Sequence, residues 1–260
     1  MSEADKHRAR IFLHRGDLAQ ARAAWEAAVE DDRAANDVRE LSNSLGNLGN
    51  TCAIIEDFQA AERCYREVLD LQRTEQNPHA IAHTLVNLGN LHIGTGHPAK
   101  ARPYYMEAMD LLRALKDHRA LGILYNNVAL EEARGQHWTE AIEAFHQALV
   151  YHRMVGNEEG LAVSYSQMGQ CFLDQGDLEN AERCLNNGSE HYIKLGVEAG
   201  EAAVLRLLAN LYERRGDLVS AVRCLERTVA IDTKYNLAES PRDAEALARL
   251  KHCRGAAPPL

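Results

Sequence analysis

Glycine and proline are sparse, 17 and 6 of 260 residues, which excludes a collagen-like, linker-rich or low-complexity chain. No apolar run approaches the ~20 residues needed to span a bilayer. The first ten residues, MSEADKHRAR, lack the apolar core of a secretion signal, so the cytoplasm is the expected location. There is no dense Lys/Arg run, and 29 basic against 38 acidic residues leave a formal charge of -9. Such a chain has poor means of releasing phosphate counterions, so neither a nucleic acid nor a membrane surface is the expected partner. The six cysteines, Cys52, Cys64, Cys171, Cys184, Cys224 and Cys253, contain no CxxC pair and are expected as small core hydrophobes. What the chain does have is ordinary for a soluble fold: 46% hydrophobic and 26% charged residues.

Those residues recur. Ala21, Ala61, Ala101, Ala141, Ala181 and Ala221 stand 40 apart without a slip. Four positions later come Trp25, Tyr65, Tyr105, Phe145, Leu185 and Leu225. Five positions before each Ala stand Gly16, Glu56, Gly96, Gln136, Gly176 and Gly216, each followed by Asp or His. A further column, Leu48, Leu88, Val128, Met168 and Leu208, is followed each time by Gly or Ala. A fixed period held across the chain is the mark of stacked supersecondary units.

Each unit reads as two antiparallel helices, A then B. Asp37, Asn77, Asp117 and Asn157 suit the N-cap of helix A, and Asp17, Asp57, Asp177 and Asp217 that of helix B. Pro78 and Pro98 fall at favoured first helical positions. The small columns are expected where two backbones approach, with the aromatic column filling the gap between successive hairpins. Pro103 predicts a kink in the third helix B, and Asn186–Ser189 an interruption of the fifth. The predicted fold is all-α: a right-handed α-solenoid of six 40-residue helix-turn-helix repeats, about 2–41, 42–81, 82–121, 122–161, 162–201 and 202–241. A C-terminal capping helix over 242–253 and a disordered tail over 254–260 complete it.

The segments LGNLGN (45–50), VNLGNLH (86–92), GDLAQA (16–21), GDLENA (176–181) and GDLVSA (216–221) resemble tetratricopeptide (TPR) repeats. The 40-residue period and the NLGN motif are similar to the longer variety in Pins/LGN-type adaptors and kinesin light chains. The resemblance covers residues 2–241 and is specific for fold, while members share a scaffold rather than a task.

The resemblance implies a concave wall built mainly from helix A. On it would stand Asn47, Asn87, Asn127 and Gln167, with Asn50, Asn90, Gln170 and Asn210 three residues on and Leu130 interrupting. An Asn amide carries donors and an acceptor together, so a ladder of them can hold the main chain of an extended peptide. Lys6, Arg10, His14, His83, Arg134, Arg206 and Arg214 would add cationic points, Glu213 and Asp174 acidic ones, and Ile54, Ile93, Ile123, Val163, Leu173 and Ala203 apolar ones. A ligand with some negative charge follows. Lys6, Asn47 and Asn87 partly fit a carboxylate clamp, from which Arg10 and His83 depart.

His79 and His83 share a helical face, but no Cys or carboxylate completes a metal site, and no cofactor is expected. No GxSxG, HExxH or P-loop occurs. The sequence therefore predicts a non-enzymatic adaptor that binds a peptide segment or helix of another protein. The alternatives are a self-assembling scaffold, formed as a homo-oligomer, and a small-peptide-sensing regulatory module.

Overall fold

The computed structural model describes residues 2–237 and 239–256. Among them are thirteen α-helices and no strand. They pair as six hairpins: α1 (Ser2–Arg15) with α2 (Leu18–Ala34), α3 (Val38–Ile54) with α4 (Phe58–Thr74), and α5 (Pro78–Gly94) with α6 (Pro98–Leu115). Then come α7 (His118–Arg134) with α8 (Trp138–Met154), α9 (Glu158–Gln175) with α10 (Leu178–Leu195), and α11 (Glu198–Arg215) with α12 (Leu218–Tyr235). The final helix, α13 (Ser240–Ala256), packs on α12. It is longer than the expected cap, so residues 254–256 are helical where a tail was expected, and 257–260 lie outside the described residues. The chain forms two compact units. One ends at Asp117 and holds hairpins 1–3; the other begins at His118 and holds hairpins 4–6 with α13.

The turns follow a 20-residue beat. Backbone φ is positive at residues 16, 36, 56, 76, 96, 116, 136, 156, 176, 196, 216 and 236. Half of these are Gly. The others, Asn36, Glu56, Gln76, Lys116, Gln136 and Asn236, adopt the left-handed conformation in spite of a Cβ. Immediately after the turns, Asp17, Asp37, Asp57, Asn77, Asn157, Asp177 and Asp217 each accept the backbone N–H three residues on. Each closes an orphan donor at a helix start. His97 and His137 make no side-chain cap bond.

Inside the hairpins the Ala column is buried throughout, from Ala21 to Ala221. The helix-A Gly column lies where backbones approach, a Cβ on Gly169 standing 3.1 Å from the Leu185 backbone N, and it also admits a large side chain. A Cβ on Gly49 would stand 2.7 Å from Cε1 of Tyr65, and one on Gly169 2.7 Å from Cγ of Leu185. These glycines make room for the large side chain of their own helix B, so that column fills each hairpin from within. Neither irregularity breaks its helix. Pro103 lies within a continuous α6, and Asn186–Ser189 within a continuous α10. Gly188 is accommodated because a Cβ there would meet Oγ of Ser166 on α9 at 2.5 Å. Five cysteines are buried and Cys253 is exposed; burial pushes the thiols of Cys64, Cys171 and Cys184 up to about 11.

Candidate functional site

Helix A of each hairpin carries the expected polar columns at a fixed register, and the structure gives their members different neighbours. In the first unit, Asn47 Nδ2 donates to the carbonyl of Asn43 in its own helix at 2.8 Å. Asn50 Oδ1 accepts the Tyr65 hydroxyl at 2.7 Å, and Asn90 Oδ1 that of Tyr105 at 2.6 Å. The second column here ties helix A to helix B. Asn87 and both of these Asn residues line a cleft of about 400 Å³ with Ile54, Phe58 and Leu91. His83 is exposed, and His79 faces Asp117 at 3.7 Å.

The second unit lacks the tyrosines. Phe145, Leu185 and Leu225 stand opposite Leu130, Gln170 and Asn210, so the hydroxyl that Tyr65 and Tyr105 supply has no counterpart in this column. Gln170 Nε2 donates instead to Asp174 at 2.7 Å, and Asn210 is exposed. Asn127 and Gln167 line a cleft of about 300 Å³ between α7 and α9, with Ile123, Leu130 and Val163. Arg134 is exposed, while Arg214 donates to the carbonyl of Leu173 at 2.6 Å.

Two expected wall cations are held inside ion pairs. Lys6 is almost fully buried, 3.1 Å from Asp32 and 2.6 Å from Glu40. Arg206 binds Asp232 at 2.6 Å and Asp243 of α13 at 2.5 Å. Leu173, expected on the wall, is a core residue at 2% exposure. Burial alone would push the Asp32 carboxyl up, but hydrogen bonds from Ser2, Ser44 and Lys6 prevail and hold it below the ordinary range. Burial pushes the Asp232 carboxyl up, and the neighbouring Asp243 carboxyl adds to that rise in spite of Arg206.

The α7–α9 cleft contains a residue that the sequence columns did not single out. His152, from the last turn of α8, lines it and is 1% exposed. Its ring fits because Gly122 and Gly160 face it. A Cβ on Gly122 would stand 2.6 Å from the ring Cε1, and one on Gly160 would overlap the ring. The equivalent positions hold Ser42, Ala82, Ala162 and Ala202, and Glu40, Ala80, Ala120 and Gly200. The two extra glycines were the available signal. Burial first, and then the charge of Arg119, lower the His152 pKa, so the ring is neutral near pH 7. Among the described residues no group of three His, Cys, Asp or Glu could hold a metal ion, and no helix is long and apolar enough to cross a membrane.

Comparison with known proteins agrees with the fold. The chain is similar in structure to BtubC (BKLC) from P. vanneervenii, at 21% identity, TM-score 0.76, and coverage of 84% of this chain and 92% of that one. It is similar to a Rap protein complexed with competence and sporulation factor, at 14% identity and TM-score 0.68, covering 95% and 74%. A putative kinesin light chain with TPR-like repeats from Podosopora anserina gives 17% identity and TM-score 0.62, covering 75% and 95%. At these identities the likeness concerns the fold. No curated protein sequence matches. The profile of the tetratricopeptide repeat family matches residues 1–74, 80–149 and 160–234, and the chain belongs to that family.

Proposed function

We propose that this chain is a non-enzymatic protein-interaction module that takes a peptide segment or helix of a partner protein on its helix-A wall. The observation that carries the reading is the pairing of amide side chains with apolar lining in two clefts. Asn87 stands with Ile54, Phe58 and Leu91 in one, and Asn127 and Gln167 stand with Ile123 and Val163 in the other. An amide beside an aliphatic hollow can hold a main-chain group while a neighbouring side chain is buried, the division of labour seen wherever extended peptides are read. Support comes from the family, whose stacked repeats present extended binding surfaces, and from the Rap neighbour, whose structure holds competence and sporulation factor. The Asn50 and Asn90 acceptors are engaged by tyrosines, so the reading rests on Asn87, Asn127 and Gln167.

The test is capture of the native partner by purified chain. Asn87→Ala combined with Asn127→Ala should weaken capture by at least about tenfold, the equivalent of ~1.4 kcal/mol, with the helical melting curve unchanged. Capture at wild-type strength by the folded double variant would refute the wall as the binding face.

A further inference from the structure

Two residues that line the α7–α9 cleft, His152 and Gln167, each keep one buried polar atom without a partner within the chain, and the surrounding bonds settle the protonation of the histidine. The backbone N–H of Gly160 donates to Oδ1 of Asn157 at 3.0 Å, the N-cap bond of α9. That bond fixes the amide, so Nδ2 of Asn157 is the group 3.2 Å from Nδ1 of His152 and donates to it. Nδ1 is then the acceptor of a neutral ring, and the proton sits on Nε2. Nε2 is buried and has no partner. In the same cleft Oε1 of Gln167 is buried and also has no partner. Buried polar groups are nearly always paired, so two orphans of opposite sense lining one hollow call for an occupant that supplies an acceptor and a donor together.

A water can bridge the two groups, and any ligand that displaces it must supply the same acceptor and donor; simple anions do not. A carboxylate would accept from His152 and leave Gln167 Oε1 facing negative charge; the rim charges, Arg119 and Glu159, are of opposite sign. An ammonium group would leave the His152 N–H unanswered. Main chain in extended conformation offers carbonyls and N–H groups along one edge, with side chains standing to either side. Ile123, Val163 and Leu130 supply an apolar wall for one of those side chains.

We propose that this cleft is a main-chain subsite, in which His152 Nε2–H donates to a peptide carbonyl, Gln167 Oε1 accepts a peptide N–H, and an aliphatic side chain lies against Ile123 and Val163. It deepens the reading that the helix-A wall takes a peptide, by adding a helix-B histidine that reaches the wall through the gap left by Gly122 and Gly160. The other hairpins place Asp32, Gln72, Leu112, Tyr192 and Asp232 at the equivalent of His152. The subsite therefore belongs to hairpin 4 and its neighbour α9.

The test is a nuclear magnetic resonance titration of the full chain with N-acetylvaline N-methylamide, a blocked residue carrying two peptide groups and one aliphatic side chain. Propionamide and sodium acetate serve as competing probes. The expected result is a saturable shift of the His152 Nε2 resonance and of the Ile123 and Val163 methyls, with both comparison probes at least about tenfold weaker. His152→Leu copies the buried Leu112 of hairpin 3 and should fold, as its melting temperature will report. That variant and Gln167→Met should each weaken the probe by about tenfold, the typical worth of one hydrogen bond. Absence of a saturable wild-type shift, equal affinity in both variants, or tighter binding of propionamide or acetate would overturn the subsite. These results leave the cleft at Asn87 untouched, and capture of the partner by the Asn87→Ala chain judges the wall separately.

Discussion

Hairpins 2 and 3, in the first unit, and hairpins 4 and 6, in the second, solve the same packing problem with different residues. In the first pair a helix-A Gly admits a helix-B Tyr, and the Tyr hydroxyl returns to an Asn one residue beyond the Gly. In the second pair Ala129 and Ala209 stand where the Gly was, opposite Phe145 and Leu225, and the next residue is Leu130 or Asn210. The amides of this column, Asn50, Asn90, Gln170 and Asn210, thus have two physical roles. Where a hydroxyl faces it, the amide fastens two helices; where none does, it is a surface group. A ladder read from sequence alone counts both kinds as rungs.

The largest way to break the comparison is to give the first unit the second unit's small residue. Gly49→Ala places a methyl 2.7 Å from Cε1 and 3.0 Å from Cδ1 of Tyr65, contacts that require the ring to move. Overpacking of this kind costs about 1–3 kcal/mol, partly offset by the ~1 kcal/mol preference of a helix for Ala over Gly. The net expectation is a loss of about 1 kcal/mol, and at most about 2. Ala209→Gly, the reverse exchange opposite the smaller Leu225, should cost about 1 kcal/mol through helix propensity alone. Urea unfolding checks both, and Trp25 and Trp138 report one unit each. A stabilised Gly49→Ala chain would show that the ring was never confined.

A smaller effect separates the two roles of the Asn column. Tyr65→Phe and Asn50→Ala each remove the same hydrogen bond and should each cost about 1 kcal/mol, with the double variant costing little more than either. Asn210→Ala faces Leu225 and should stay within about 0.5 kcal/mol of the parent. Equal costs for Asn50→Ala and Asn210→Ala in urea unfolding would erase the distinction between the units.

The repeat made the fold legible, and its limits are equally physical. Period, helix order, caps and the Gly-or-polar turn were readable because each rests on backbone chemistry that returns every 40 residues. Glu56 and Gln136 in the turn column adopt positive φ without being glycine, which shows that register with the other copies outweighs residue preference. Side-chain partners were less legible because they depend on what the neighbouring helix offers. Lys6 and Arg206 read as wall cations until Asp32 and Asp232, 26 residues later in each case, were seen beside them. His152 was invisible in the helix-A columns because it comes from helix B, and only Gly122 and Gly160 marked its place. The partner's identity has no counterpart in any column, since the repeats encode their own stacking first.

Those two buried aspartates give the smallest and most discriminating contrast between the units. Asp32 and Asp232 occupy equivalent positions, each beside a cation also at equivalent positions, yet their carboxyls shift in opposite directions. Asp32 has Ser2, Ser44 and Lys6 as donors, with Glu40 on the far side of the lysine. Its folded pKa lies below the unfolded value of ~4, so its stabilisation is present above ~4 and is lost as pH falls through the folded value. Burial raises the Asp232 pKa first, and Asp243, a second carboxylate around the same Arg206 guanidinium, adds to the rise. Its contribution is full below ~4 and is lost as pH rises from there through the folded value. Asn is a stand-in for a protonated Asp, so Asp32→Asn should lower the melting temperature more at pH 7 than at about pH 3, below the ordinary carboxylate value. The Asp232→Asn penalty relative to the parent should change in the opposite sense, being larger at about pH 3 than at pH 7, because low pH is where the native carboxyl's extra stabilisation is retained. Melting curves of the two variants at both pH values decide the point. Parallel pH responses would mean that burial and Asp243 do not outweigh Arg206 at Asp232, and that the two ends of the repeat series use their buried ion pairs alike.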